Sequence, residues 1–275
     1  MKFSLILATI NRSSELEIFL SHLERQYYES FEIIIVDQNL DNRLIAILAR
    51  YESLFSMKYV RSEKGASKAR NVGMKFADGD ILAFPDDDCW YPDNLLSDLE
   101  KIFTSNNEIE GITGLVMDEQ GHPFSRFPSR AGFIQKNNAF EKACLPAIFL
   151  REKVVKSVGQ LNENLGPGAT TPWQSGDETD YILRAIELGF RLLYEPRIIV
   201  FHPMKKENVK NRAFEYGAGF GRVLRIHHFP SWRVSYYLIR PFGGIFYALL
   251  KKDLLLANYY LNSLRGRWVG WRSIE

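Results

Sequence analysis

An α/β fold, with a mostly parallel sheet flanked by helices, is what this 275-residue sequence predicts, and three observations carry the prediction. Short apolar runs rich in β-branched residues alternate with stretches whose apolar residues recur at helical spacing. That strand–helix–strand order is the pattern of parallel strands joined by crossover helices. The runs end in polar residues, at Thr9, at Asp37 and at the consecutive aspartates Asp86, Asp87 and Asp88. In open α/β sheets ligands bind beyond the carboxyl ends of the strands, so those ends mark the candidate site.

The elements follow in order. Residues 3–8 (FSLILA) have the length of a buried strand. Ser13 or Ser14 can cap the next helix, with Leu16, Phe19, Leu20 and Leu23 on one face. Residues 32–36 (EIIIV) form a second strand, 44–54 a helix and 57–61 a third strand. A helix over 67–77 stops at the turn signal Asp78-Gly79. The strand ILAF (81–84) then delivers the aspartates, and Pro92 opens a helix running through Phe103, with Leu95, Leu96, Leu99 and Ile102 apolar. Residues 105–172 are less regular, and GPGATTPWQSG reads as a flexible loop exposing Trp173. A helix at 177–188, Gly189, a strand at 190–200 and His202-Pro203 follow.

At 46% hydrophobic, the chain can build a substantial core. The two cysteines, Cys89 and Cys144, provide neither a disulfide framework nor a metal-knuckle spacing. The first residues read as a strand rather than a signal peptide, and no uninterrupted apolar stretch reaches the ~18 residues of a membrane span. The expectation is a reduced, cytoplasmic protein. The net charge of +2 conceals an asymmetry: residues 206–275 carry +8 and the rest −6. An acidic front and a basic, aromatic tail imply two surfaces with two tasks.

The aspartates are the strongest chemical signal. Adjacent carboxylates raise one another's pKa, so three at a strand end need a compensating charge. A hard divalent cation such as Mg²⁺ or Mn²⁺ supplies it, taking oxygen ligands and bridging to phosphates. The plain alternative is a solvated acidic turn ahead of the next helix.

Five blocks in order resemble a family-2 glycosyltransferase of the GT-A (nucleotide-diphospho-sugar transferase) fold, over roughly residues 1–203. LILATINR resembles the family's opening strand and turn, with Ala8 in place of a proline. EIIIVDQNLDN resembles its second strand and nucleotide-facing Asp, and KGASKARNVGMKFADGD its Gly-x-x-x-Ala-Arg-Asn segment. ILAFPDDDCWYP resembles the metal-binding Asp-x-Asp strand end, and SGDETDYILRAIELGFRLLYEP the acidic helix on the acceptor side.

The resemblance implies roles. Asp37 accepts from a ring N–H of the base, or forms an Asx turn after its strand. Thr9 and Arg12 touch base or ribose. Gly65 permits close backbone approach. Arg70 neutralises the diphosphate or holds the aspartates, while Asn71 ties its helix to a neighbouring strand. Asp88 is the expected metal ligand and Asp86 contacts the ribose or a metal-bound water. Counting back from Pro92 keeps Asp87 as a reserve. His202 completes the metal site or contacts the diphosphate. Where the family has Glu-Asp this chain has Asp177-Glu178, which makes Glu178 the general base of an inverting transfer and Asp177 its alternate. Asp180 orients Arg184 one turn on, and Trp173 with Asp180 is assigned to the acceptor.

The implied donor is a UDP, GDP or dTDP sugar, and the implied acceptor a glycan or lipid-linked glycan in surface polysaccharide assembly. The catalytic domain is expected over 1–205. Residues 206–275 read as a helical appendage whose Arg/Lys and aromatic residues suit a membrane interface, placing the protein on the inner face of the cell membrane. No nucleic-acid motif accompanies the basic tail. Two rivals stand beside this reading. A nucleotidyltransferase would show a Gly-rich phosphate loop near the N-terminus, which LATINRSS lacks. A catalytically inactive scaffold subunit would have no need of both carboxylate clusters.

Overall fold

The computed structural model describes residues 1–203 and 212–273. The expected domain boundary at 205/206 lies outside the described residues. The chain divides into two compact units, Met1–Leu161 with Tyr181–Met204, and Asn162–Asp180 with Lys205–Glu275.

In the first unit β1 (Phe3–Thr9), β2 (Phe31–Asp37), β3 (Ser56–Arg61) and β4 (Ile81–Ala83) alternate with α1 (Ser14–Leu23), α2 (Ile45–Tyr51) and α3 (Ala66–Met74). After α4 (Leu95–Ser105) come β5 (Gly111–Met117), β6 (Gly132–Phe133), the short helix α5 (Ala139–Lys142), β7 (Ile148–Arg151) and α6 (Glu152–Val158). Helix α7 (Asp177–Glu187), whose first four residues belong to the second unit, and β8 (Leu192–Phe201) follow. The sheet order is β3-β2-β1-β4-β7-β5-β8-β6. The β1–β2, β2–β3, β1–β4 and β5–β8 pairs are parallel, while β7 runs antiparallel to both β4 and β5.

Strand alternation sorts the core into two layers. Phe3, Leu5, Leu7, Phe31, Ile33 and Ile35 join the cluster formed with Leu16, Phe19 and Leu20 of α1 and Leu95, Leu96, Leu99 and Phe103 of α4. On the other face, any side chain at Gly73 of α3 would press into Ile6 and Val36, so a glycine lets α3 lie close on β1 and β2. Truncating a fully buried residue such as Leu99 to alanine costs about 2–5 kcal/mol.

Two expectations need correction here. Helix α4 starts at Leu95, not Pro92, because the Pro92 and Asp93 carbonyls accept from Gln26 Nε2 (2.6 Å) and the Tyr27 amide (2.8 Å). The stretch 105–172 also contains β7, the antiparallel strand that joins the two parallel halves of the sheet.

The second unit holds three helices among the described residues: α8 (Ala213–Ile226), α9 (Ser231–Leu250) and α10 (Leu254–Arg272). Helices α8 and α10 meet backbone to backbone. A side chain at Gly217 or Gly221 would collide with the carbonyls of Ser263 or Arg267, and one at Gly266 or Gly270 with those of Phe214 or Ala218. Helix α9 runs through Pro241 and the Gly243-Gly244 pair. Among the described residues no helix is long and apolar enough to cross a membrane.

Candidate active site

The parallel register brings Thr9 level with Asp37, and a single bridge pairs Ala8 with Asp86. On the far side Trp90 and Phe201 exchange backbone hydrogen bonds of 2.9 and 3.0 Å, which sets the end of β8 beside the aspartates. His202 follows at once, its amide donating to Met117 O at 2.9 Å. Backbone pairing therefore brings together residues more than a hundred positions apart.

Within this corner the aspartates alternate in direction. Ligand atoms of Asp86, Asp88 and His202 all lie within 4.8 Å of one another. His202 Nδ1 donates to Pro203 O (3.0 Å), which leaves Nε2 facing Asp88 Oδ1 at 3.1 Å. Two carboxylates and an imidazole nitrogen suit a divalent cation that accepts mixed oxygen and nitrogen ligands, as Mn²⁺ does. Asp87 turns the other way. It accepts from Thr9 Oγ1 (2.7 Å) and from Arg12, which also lies 2.8 Å from Asp88 Oδ2. Thr9 and Arg12, expected against base or ribose, here hold the aspartates. Arg70, buried, donates to Asp86 Oδ1 at 2.6 Å, one of the two roles considered for it.

The electrostatics follow from burial against charge. Burial raises the Asp87 carboxyl above its ordinary range despite Arg12 and Thr9. For His202 burial disfavours the cation, but the hydrogen bond to Asp88 and the charges of Asp86 and Asp88 outweigh it and raise the pKa. Cys89 is fully buried with its thiol on the Asp86 carbonyl (3.0 Å), and burial holds it well above the usual thiol range. It is a packing residue.

Asp37 has no exposed surface. Its carboxylate accepts from the Asn39 amide (2.8 Å) and side chain (2.7 Å) and from the Tyr59 hydroxyl (2.7 Å). The Asn39 contact closes an Asx turn after β2. Gly65 caps α3 at φ +133°, a conformation that favours glycine, and donates to Gln38 Oε1 at 2.8 Å. Asn71 exchanges two bonds, of 2.8 and 3.0 Å, with the Leu161 backbone, a loop rather than a strand.

In the second unit the loop before α7 is cross-braced rather than loose. Gln174 donates to Ala169 O (2.6 Å) and Thr171 O (2.7 Å) and accepts from the Gly168 amide (2.9 Å). Trp173, expected to be exposed, is half-buried with the Arg222 guanidinium 4.4 Å from its ring. The first turn of α7 presents Asp177, Glu178 and Asp180. Asp177 is buried with its carboxyl packed on Gly166, whose side chain would lie within 2.6 Å of it. Asp180 is buried, 3.1 Å from His227 Nε2. Glu178 is half-buried and retains access to solvent. Sequence reasoning missed His227, which no local pattern marks. It also missed the four-residue glycine spacing in α8 and α10 that signals close helix packing.

Residues 4–147 match the family model for glycosyl transferase family 2. The chain is 26% identical over 193 residues to an uncharacterized glycosyltransferase of Haemophilus influenzae, covering 67% of this chain and 62% of the relative. It is 28% identical over 105 residues, 38% of this chain and 42% of the relative, to the Escherichia coli UDP-Glc:α-D-GlcNAc-diphosphoundecaprenol β-1,3-glucosyltransferase WfgD. The chain thus spans less than two thirds of these curated relatives. Among solved structures, the Pyrobaculum calidifontis mannosyltransferase PcManGT in complex with GDP-Man and Mn²⁺ superposes with a TM-score of 0.68. That match covers 97% of this chain and 87% of the other at 13% identity, a likeness of fold. With the strand-end site and the matched family model together, the chain belongs to glycosyl transferase family 2 and has the GT-A fold.

Proposed function

We propose that the chain is a metal-dependent inverting glycosyltransferase that moves a sugar from a nucleoside-diphosphate donor to a hydroxyl of a glycan or lipid-linked glycan. The convergence of Asp86, Asp88 and His202 within 4.8 Å at the strand ends carries the reading. These three residues would hold Mn²⁺ or Mg²⁺, which as a Lewis acid stabilises the charge of the departing diphosphate. Arg70 and Arg12 fix the orientation of the carboxylates that do this. Glu178 takes the proton from the acceptor hydroxyl as its oxygen bonds to the anomeric carbon. The bond from that carbon to the donor's phosphate oxygen breaks, and the nucleoside diphosphate leaves with the electron pair. Asp177, packed on Gly166, is the less accessible alternate. Relatives that use UDP-glucose or bind GDP-mannose support a UDP or GDP donor.

A thermal-shift screen against UDP, GDP, dTDP and CDP, each with Mn²⁺ and with EDTA, tests the donor half, because ligands of the folded state raise Tm. A metal-dependent rise with one diphosphate is expected. Identical melting in every condition would overturn the reading.

The acceptor is proposed to be lipid-linked and met at a membrane surface, as the diphosphoundecaprenol in the name of the Escherichia coli relative suggests. Trp232, Tyr236, Ile239, Phe246 and Leu250 form one stripe of α9, each more than half exposed. Residues 223–252 include Arg225, Arg233, Arg240, Lys251 and Lys252, all exposed or half-buried, and no acidic residue. Such a face suits an anionic bilayer interface, where each cation contributes about 1 kcal/mol. Sedimentation with phosphatidylglycerol vesicles but not phosphatidylcholine vesicles is expected, and equal behaviour with both would refute the electrostatic part.

A further inference from the structure

The segment leading to the proposed base is built on the C-terminal helices. Ser175 Oγ donates to Tyr216 O at 3.2 Å, and Arg212 donates to Gln174 O at 3.3 Å. A side chain at Gly219 would collide with the Ser175 carbonyl, and one at Gly176 (φ +88°) with Val223. These contacts fasten residues 174–176 to α8. Just beyond them, His227 at the end of α8 places Nε2 3.1 Å from Asp180 Oδ1. The two residues are 3% and 1% exposed.

A first helical turn lacks intrahelical partners for its amides and opens easily. A general base in such a turn needs outside support, since a misplacement near 1 Å can cost about 100-fold in rate. Glu178 stands between two fixed neighbours, Asp177 against Gly166 and Asp180 against His227. A buried hydrogen bond to a carboxylate is roughly twice as strong as a neutral one.

We infer that His227 is a positioning residue for the transfer reaction, holding the first turn of α7, and with it Glu178, through Asp180. This rests on the reading of Glu178 as the base. The C-terminal region then has a second task besides any membrane contact: it sets the geometry of the acceptor half of the site.

The test uses the full chain. His227→Leu removes the donor at similar volume, and His227→Gln returns an N–H near the position of Nε2. The assay is nucleoside-diphosphate release from UDP-glucose or GDP-mannose, whichever binds. In His227→Leu, kcat should fall about 100-fold while donor KM stays unchanged, and His227→Gln should recover most of the rate. Wild-type kcat in His227→Leu overturns the inference. So does a loss that tracks a lower Tm and is not rescued by glutamine, since that marks a structural role alone. Glu178→Gln in the same assay separates the two readings. Full activity there removes the base and the positioning role with it, whereas an inactive Glu178→Gln beside a fully active His227→Leu removes only the latter. Hydrogen exchange at amides 177–181 needs no turnover. It should quicken in His227→Leu and return in His227→Gln, and unchanged exchange refutes the inference.

Discussion

The two carboxylate clusters of this chain stand in different local structures, one at a strand end and one at a helix start. Asp86–Asp88 stand at the end of a buried strand and are fixed by cations and a hydroxyl: Arg12, Arg70, Thr9 and His202. Asp177–Asp180 open a helix, where the dipole already favours negative charge; their contacts include Asp177 on Gly166 and Asp180 on the buried His227. On the proposed function, the first cluster concentrates charge for a divalent cation to neutralise. The second leaves one carboxylate, Glu178, half-accessible between two buried ones. On the proposed function, the contrast separates a site that binds charge from one that moves a proton.

Substitutions that strike one cluster should therefore leave the other's task intact. Asp88→Ala should have the largest effect, weakening Mn²⁺-dependent diphosphate binding by more than about 100-fold, the upper range for losing even an outer partner of a metal ligand. Titration calorimetry with and without EDTA checks it, and wild-type affinity would dismiss Asp88 as a ligand. Glu178→Gln should keep diphosphate affinity and lower transfer by about 10²–10⁴-fold, the usual contribution of a general base. If Asp177→Asn shows that split instead, the two residues exchange roles.

The comparison also explains what could be read from the sequence. Strands β1, β2 and β3 and the aspartate cluster were legible because each is marked by a short local pattern of apolar residues ending in polar ones. Helix α7 was legible from a local pattern too. Strand β7 was not: Ile148–Arg151 is four residues long and pairs with β4 some seventy positions earlier. The orientation of Asp87 was open because alternation at a strand end depends on the Ala8–Asp86 bridge and the Trp90–Phe201 clasp. His227 was invisible because its partner lies 47 residues away and burial alone gives the pair meaning.

A smaller change sharpens the description of the first cluster. Thr9→Val keeps the shape of a buried residue and deletes the hydrogen bond to Asp87. Leaving that buried carboxylate oxygen unsatisfied should cost about 1–3 kcal/mol, or about 2–4 °C in Tm for each kcal/mol in a chain of this size. On the proposed function, turnover should be affected only through donor placement. Unchanged melting would mean that Arg12 alone holds Asp87.

The smallest expected effect concerns a buried carboxylate outside both clusters. Glu32 on β2 accepts from Ser4 Oγ (2.6 Å) and the Asp78 amide (3.0 Å) and pairs with Lys58 at 2.7 Å. Burial opposes its charge, but Lys58, Ser4 and the Asp78 amide prevail, and its pKa lies below the ordinary value. A depressed carboxylate stabilises the folded state fully above its unfolded pKa, and that contribution fades as pH falls through the folded value. Glu32→Gln should therefore narrow the gap in Tm from wild type between pH 7 and the acid range below about pH 4. Diphosphate binding and turnover at pH 7 should stay as in wild type. A gap that is constant with pH would show that the residue acts by shape and hydrogen bonding. A loss of turnover would show that the anchoring of β2 at its start reaches the strand end where Asp37 sits.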